Sequence, residues 1–262
     1  SVDVAQALPP SLISGARGTG KTALLTLIEG RAQQYGWIAV DLVSLPGLLE
    51  DAYEQSRLRA QHLVDDVDEK DNKTHLASLS VGPLGVGVTR DKVEKANWRT
   101  RMNALLDDLS KQNAGLLFTI DEITPELDEL VQFVSTYQLF VREGRKVALL
   151  MAGLPHNTSA LLKDKSVSFL RRAQAIALGR IADFEIEKAL RDTFAHSSRS
   201  VSEKAITEAV GVIDGFPFMM QLVGFRIWEE GVGDGQIEEE AAQRGMMFAK
   251  EEMKSRILLP SY

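Results

Sequence analysis

Apolar positions along the first 155 residues fall into short continuous runs separated by stretches with helical spacing. Leu12, Ile13 and Ser14 read as the end of a buried strand, and residues 37–43 as a second apolar run of strand length. Between them, residues 21–34 place Leu24, Leu27, Ile28 and Ala32 on one side of a helix. Residues 46–64 predict a helix that begins with Pro46 near its first turn. Trp98, Met102, Leu105, Leu106 and Leu109 recur at helical spacing. Residues 115–120 form a buried strand that ends in Asp121 and Glu122. Residues 125–141 predict a helix with Leu127, Leu130, Val131 and Val134 inward, and residues 147–152 another buried strand. Continuous apolar strands alternating with helices require crossover connections, hence a parallel sheet covered on both faces.

Beyond residue 180 the pattern changes. Residues 184–194, 201–213 and 218–228 show helical spacing with no clear strand between them. Residues 231–235 read as a break and 237–259 as a last amphipathic helix. The expected organisation is an α/β core over residues 1–180 and a small helical subdomain over 181–262. Within the core, residues 79–88 alternate small and apolar side chains around Gly82-Pro83, which predicts a hairpin insertion at 75–90. Residues 65–73 are charged and predict a solvated stretch.

Composition narrows the chemistry. The chain has 262 residues, 44% hydrophobic and 26% charged, as a folded globular protein does. Its formal net charge of -7 argues against a bulk basic face for nucleic acid, so DNA is a partner that the overall charge does not support. With no cysteine, disulfides, thiol catalysis and Cys-based metal sites are excluded. The longest apolar run, residues 147–154, is about eight residues and too short to span a bilayer. The first ten residues lack the basic start and long apolar stretch of a signal peptide. A cytoplasmic location is the expectation, and the missing initiator Met suggests a trimmed fragment.

One motif carries specific chemistry. Gly15-Ala16-Arg17-Gly18-Thr19-Gly20-Lys21-Thr22 matches G-x-x-x-x-G-K-[ST] completely, between a strand and a helix. The glycines let the backbone curl so that successive N–H groups point at phosphates. The helix opening at Lys21, with Ala23 in its first turn, adds free N–H groups and the positive end of its dipole. Lys21 supplies a point charge to the β and γ phosphates, and Thr22 offers a hydroxyl to Mg²⁺. A plain glycine-rich turn is the alternative. A second signal lies at the end of the strand 115–120, where Asp121 can hold Mg²⁺ and Glu122 can polarise a water for attack on the γ phosphate. Strand C-termini are where ligands sit in open parallel sheets. About a hundred residues separate the two motifs, room for a strand between them in the fold. The alternative is that the two acids cap the helix near Pro125.

These stretches resemble the AAA+ ATPases and the related signal-transduction (STAND) ATPases, most closely bacterial ATP-binding proteins grouped with origin-recognition-like AAA ATPase domains. The likeness is carried by residues 15–25, 98–122, 141–155, 168–172 and 215–228. It implies a Rossmann-like three-layer P-loop core with Walker A and Walker B motifs, a helical lid, and ATP or ADP with Mg²⁺. It further implies activity that is regulated or depends on assembly with a second copy or a protein partner. It implies a polar sensor residue after the strand 147–152, yet Ala152-Gly153-Leu154-Pro155 stands there. His156, Asn157 and Thr158 are the nearest candidates, against a helix start capped by Asn157. Arg171 and Arg172 occupy the place of an arginine finger, against two solvated surface arginines. Gly215-Phe216-Pro217 resembles a lid motif whose Pro, Pro217, packs near the nucleotide, against a helix start with Pro in its first turn. Phe218 stands where typical AAA+ lids carry an Arg.

Other features are weaker. Gly82, Gly85 and Gly87 do not spell a dinucleotide fingerprint and read as hairpin glycines or a protruding contact element. Arg90, Lys92, Lys95, Arg99 and Arg101 form a basic stretch interleaved with Asp91 and Glu94, read as a solvated helix face or a nucleic-acid contact. His62, His75, His156 and His196 show no metal-ligand spacing. The function expected is a Mg²⁺-dependent ATPase module that couples nucleotide state to movement of a lid or partner. The alternatives are a slow nucleotide-dependent switch, a DNA-associated ATPase and a small-molecule kinase.

Overall fold

A computed structural model of the chain describes residues 9–68, 97–197, 199–233 and 235–258. The expected hairpin at 75–90, with Gly82, Gly85 and Gly87, and the basic residues Arg90, Lys92 and Lys95, lie outside the described residues. The chain divides into two compact units, one of Ser1–Ser14 and Lys21–Ala177, the other of Gly15–Gly20 and Leu178–Tyr262.

The first unit contains β1 (Ser11–Ser14), α1 (Lys21–Gln34), β2 (Trp37–Val43), α2 (Leu48–Asp68), α3 (Trp98–Lys111), β3 (Gly115–Asp121), α4 (Asp128–Arg142), β4 (Val147–Gly153), α5 (Pro155–Lys163), a 3-10 helix (Ser168–Arg172) and β5 (Gln174–Ala177). Its five strands run in the order β2-β3-β4-β1-β5, and all four pairings are parallel. The α/β sheet expected of a P-loop core is therefore present. β4 lies between β1 and β3, the intervening strand that the spacing of the two motifs allowed.

β3 accounts for the two covered faces. Leu116, Phe118 and Ile120 face one core with Trp98, Phe133, Tyr137 and Phe140 of α3 and α4. Leu117 faces the other way, against Ile28 and Ala32 of α1. On that second face Thr119 donates to Glu29 of α1 and satisfies a hydroxyl that is 1% exposed. Alternate residues of one strand thus serve two helical layers, and both faces are buried, with Thr119 the polar member whose hydroxyl is satisfied by Glu29.

Two helices start later than the positions of Pro46 and Pro125 predict. α2 begins at Leu48 after Gly47, and the Glu129 carboxylate of α4 accepts from the N–H groups of Gly47 (2.9 Å) and Leu49 (3.1 Å). A cap supplied across 80 residues fixes that start, which local sequence does not reveal. α4 begins at Asp128, with Asp128 and Glu129 in its first turn where the helix dipole favours acids. β5, which the apolar pattern does not predict, pairs with β1 from Ser11–Gln174 to Ser14–Ala177.

The second unit contains α6 (Asp183–His196), β6 (Arg199–Val201), α7 (Glu203–Ile213), α8 (Pro217–Glu230), β7 (Gly235–Ile237) and α9 (Glu239–Leu258). The expectation of helices without strands is corrected here: β6 and β7 pair in parallel, Arg199 with Gly235 and Val201 with Ile237. The last helix consequently starts at Glu239 rather than at Ile237, whose side chain enters the core. That core is built from Ile186, Leu190, Phe194, Ile206, Ile213, Val223 and Ile227 with several alanines. Ser202 caps α7, its hydroxyl accepting from the Ala205 N–H at 3.2 Å. Among the described residues no helix is long and apolar enough to cross a membrane.

Candidate functional site

The loop between β1 and α1 has the backbone its glycines permit. Gly18 and Gly20 take φ values of +78° and +86°, the left-handed region that costs a residue with a Cβ. Gly15 is tight for another reason: a Cβ there would lie 3.0 Å from the Leu178 carbonyl oxygen. Thr19, 9% exposed, folds back on the loop and its hydroxyl donates to the Ala16 carbonyl at 2.9 Å. Ala16, Arg17 and Gly18 are exposed. Lys21, first residue of α1, is only 6% exposed, while Thr22 and Ala23 of the same turn face solvent. Within the second unit, Pro217 at the start of α8 stands 3.8 Å from where a Gly20 Cβ would be. The Phe218 N–H donates to the Gly18 carbonyl at 3.4 Å.

The acidic strand tip meets the first turn of α1. The Thr22 hydroxyl donates to Asp121 Oδ2 at 2.5 Å, across 99 residues of sequence. The other carboxylate oxygen of Asp121 accepts from the Glu122 N–H at 2.8 Å. Glu122 is exposed and has φ of +52°, an uncommon conformation for a residue with a side chain. Such a backbone persists only where its surroundings hold it. Here they do on three sides. The Ile123 N–H donates to the Ala152 carbonyl of β4 at 3.0 Å. The Thr124 N–H donates to the Ser44 hydroxyl at 3.1 Å, and the Ser44 N–H to the Asp121 carbonyl at 3.3 Å. The Asn157 side-chain amide of α5 donates to the Ile123 carbonyl at 2.9 Å. Neither acid caps α4, whose N-cap residue is Leu127.

Ser44 is a positioning residue that the sequence reading missed. It is 3% exposed and stands one residue past the end of β2, so a polar residue closing a buried apolar run was the available signal. Asn157 serves the Ile123 carbonyl and is not the cap of α5; that position belongs to Leu154, without a side-chain hydrogen bond. Thr158 is buried and its hydroxyl donates to the Pro155 carbonyl at 2.9 Å, while His156 is exposed. Arg171 and Arg172 end the 3-10 helix and are exposed; Arg171 donates to the Leu162 carbonyl at 3.3 Å rather than to the Thr22–Asp121 pair. Among the described residues there is no cluster of three or more His, Cys, Asp or Glu side chains fit to hold a metal alone. Thr22 and Asp121 instead form a pair of hard oxygen donors.

No family model and no curated protein matches the chain. Solved structures share its fold. The ORC2 protein of Aeropyrum pernix in its ADP form is 14% identical with a TM-score of 0.59, over 93% of this chain and 63% of that one. A Walker-type ATPase of Pyrococcus abyssi, PABY2304, is 17% identical with a TM-score of 0.61, over 95% and 70%. The RuvB Holliday junction branch migration motor of Thermotoga maritima is 14% identical with a TM-score of 0.52, over 92% and 62%. The chain therefore spans less than two thirds of the ORC2 and RuvB chains. At these identities the likeness is one of fold alone: these proteins share the α/β architecture built on the five-stranded parallel sheet.

Proposed function

We propose that the chain binds ATP at the loop from Gly15 to Thr22 and hydrolyses it to ADP and phosphate. The observation that carries this reading is the contact between Thr22 and Asp121. It joins the helix that opens after the glycine-rich loop to an acidic strand tip distant in sequence. The N–H groups of Gly15, Ala16, Arg17, Gly18, Thr19 and Gly20, with those of Lys21, Thr22 and Ala23, would cradle the phosphates. The Lys21 ammonium adds a charge at a position shielded from solvent. The Thr22 hydroxyl and Asp121 carboxylate fit Mg²⁺, which takes oxygen ligands and commonly uses one or two carboxylates beside substrate phosphates. Bound there, Mg²⁺ would neutralise phosphate charge. The Glu122 carboxylate takes a proton from water as the water oxygen bonds to the γ phosphorus and the bond to the ADP oxygen breaks. Arg171 and Arg172, exposed and close in sequence to the edge strand β5, are assigned to the nucleotide of a second copy. Residues 1–180 form the ATPase core in this reading and 181–262 a lid, with Pro217 set beside the nucleotide loop.

The test is steady-state phosphate release with labelled ATP. Glu122→Gln is expected to slow it by roughly a hundred- to ten-thousandfold, with ATP binding intact. An unchanged rate removes Glu122 as the base, and label arriving on an acceptor other than water makes the protein a kinase. One observation favours a slow switch over a fast ATPase: Asn157 and Thr158, two of the three polar candidates after β4, are committed to backbone carbonyls, which leaves only the exposed His156. A single turnover followed by stalled ADP release would mark that behaviour. Hydrolysis stimulated by DNA would add a nucleic-acid partner.

A further inference from the structure

A salt bridge in the second unit has no evident role in packing. Arg180 pairs with Asp214, and both side chains are well exposed, at 59% and 58%. An isolated pair this open to solvent adds little to stability. The surrounding backbone nevertheless makes room for it. Gly215 has φ of +78°, and a Cβ there would lie 2.6 Å from Arg180 Cβ and 3.0 Å from its Nε. Any larger residue would therefore displace the arginine. Asp214 is itself left-handed at φ +50°, closing α7. The Ile181 N–H donates to the Gly215 carbonyl at 2.8 Å, and the guanidinium stands 5.6 Å from the Phe216 ring.

The two segments so joined both border the glycine-rich loop. Leu178, two residues before Arg180, crowds Gly15, with its carbonyl oxygen 3.0 Å from where a Cβ would sit. Pro217 and Phe218, just past Gly215, lie against Gly20 and Gly18. Arg180 thus sits where the segment beside the start of the loop meets the turn beside its end. A guanidinium prefers a phosphate as it prefers a carboxylate, through two parallel N–H bonds, and a triphosphate carries more charge than one Asp.

We propose that Arg180 is a nucleotide-binding residue that exchanges Asp214 for the phosphates held by the loop, so that Asp214 competes with nucleotide for one guanidinium. This rests on the reading of Gly15–Gly20 as a phosphate site. It makes the two partners of a single ion pair act in opposite directions. Removing Arg180 weakens nucleotide binding, whereas removing the charge of Asp214 frees the arginine and strengthens it. A pair that merely holds the turn would give losses of the same sign from both sides.

Calorimetry on the full chain separates these cases, with ATP and inorganic tripolyphosphate as ligands. Arg180→Ala is expected to weaken both by roughly tenfold or more, and Arg180→Lys to lose less. Asp214→Asn is expected to tighten both several-fold, and the Arg180→Ala/Asp214→Asn double variant to match Arg180→Ala. If Asp214→Asn weakens binding as Arg180→Ala does, the proposal is overturned. It also fails if Arg180→Ala weakens ATP but leaves tripolyphosphate unchanged, because the contact would then be to the base or sugar. Wild-type protein that binds neither ligand would refute the phosphate-site reading itself.

Discussion

The two units bury different kinds of side chain. In the sheet unit the interior is aromatic: Phe118, Phe133, Tyr137 and Phe140 are all at or below 1% exposed. Phe133 meets Phe118 edge-on at 5.1 Å and Trp98 at 5.3 Å. In the helical unit the interior is fine-grained, with Ala205, Ala209, Ala242 and Ala249 buried beside Met219 and Met246. Of its aromatic residues Phe194 is buried, whereas Phe184, Phe225, Trp228 and Phe248 stay exposed. A groove of about 380 Å³ opens between α6 and α8, with Phe194, Met220, Phe225 and Trp228 along it. Interlocked rings resist displacement, so the aromatic core fixes β3 and its acidic tip. Small residues let helices approach closely, and adaptable Met side chains fill what remains. The positions of Asp121 and Glu122 are thus set by packed rings, whereas the turn from Asp214 to Phe218 belongs to a unit whose interior holds smaller side chains.

Substitutions can break this contrast. The largest effect is expected from Phe133→Ala, which should cost about 3–5 kcal/mol in urea denaturation. The exposed Phe225 of the helical unit should cost about 0.5 kcal/mol when changed to Ala. Comparable losses from the two would erase the distinction. Next comes Gly245 of α9, where a Cβ would lie 2.7 Å from the Arg226 backbone of α8. Gly245→Ala should cost about 1–3 kcal/mol by forcing those helices apart. A neutral result would mean that the helical unit is loose even where its helices are closest.

The smallest effect concerns the sheet edge. Burial works against the charged form of Asp41 on β2, but the hydrogen bond and charge of Arg59 outweigh it and hold the carboxyl below its ordinary range. A lowered carboxylate stabilises the fold above its unfolded value of about 3.9, and the benefit is lost as pH falls through the folded value. Asp41→Asn should therefore lower stability at pH 7 by at most about 1 kcal/mol, since Asp41 is exposed and Arg59 half-buried. The gap from wild type should start to shrink below about pH 4 and close once pH is below the folded value. A gap that persists at pH 2 would point to packing instead of charge.

The sheet unit was also the more legible of the two in sequence. Residues 115–121 announce a strand because six buried residues run together before the acids. β5 escaped because Gln174, Ala175 and Ala177 are exposed edge residues whose strand exists through pairing with β1. β6 and β7 escaped because three residues each leave no periodicity to read, and each is a strand only beside the other. At the candidate site, Thr22, Asp121 and Glu122 stood out in sequence, and the fold brings Thr22 and Asp121 together. Ser44 and the work of Asn157 were not, since both act on backbone groups that only the folded chain brings near. The left-handed Glu122 was invisible for the same reason: its conformation is imposed by β4, by α5 and by the residue after β2.

The most direct measurement is calorimetric titration of ATP with Mg²⁺ into the wild type and Lys21→Ala. Saturable binding to the wild type is expected, and binding at least tenfold weaker when the ammonium is removed. No heat with the wild type, or equal affinity for the two proteins, would contradict it.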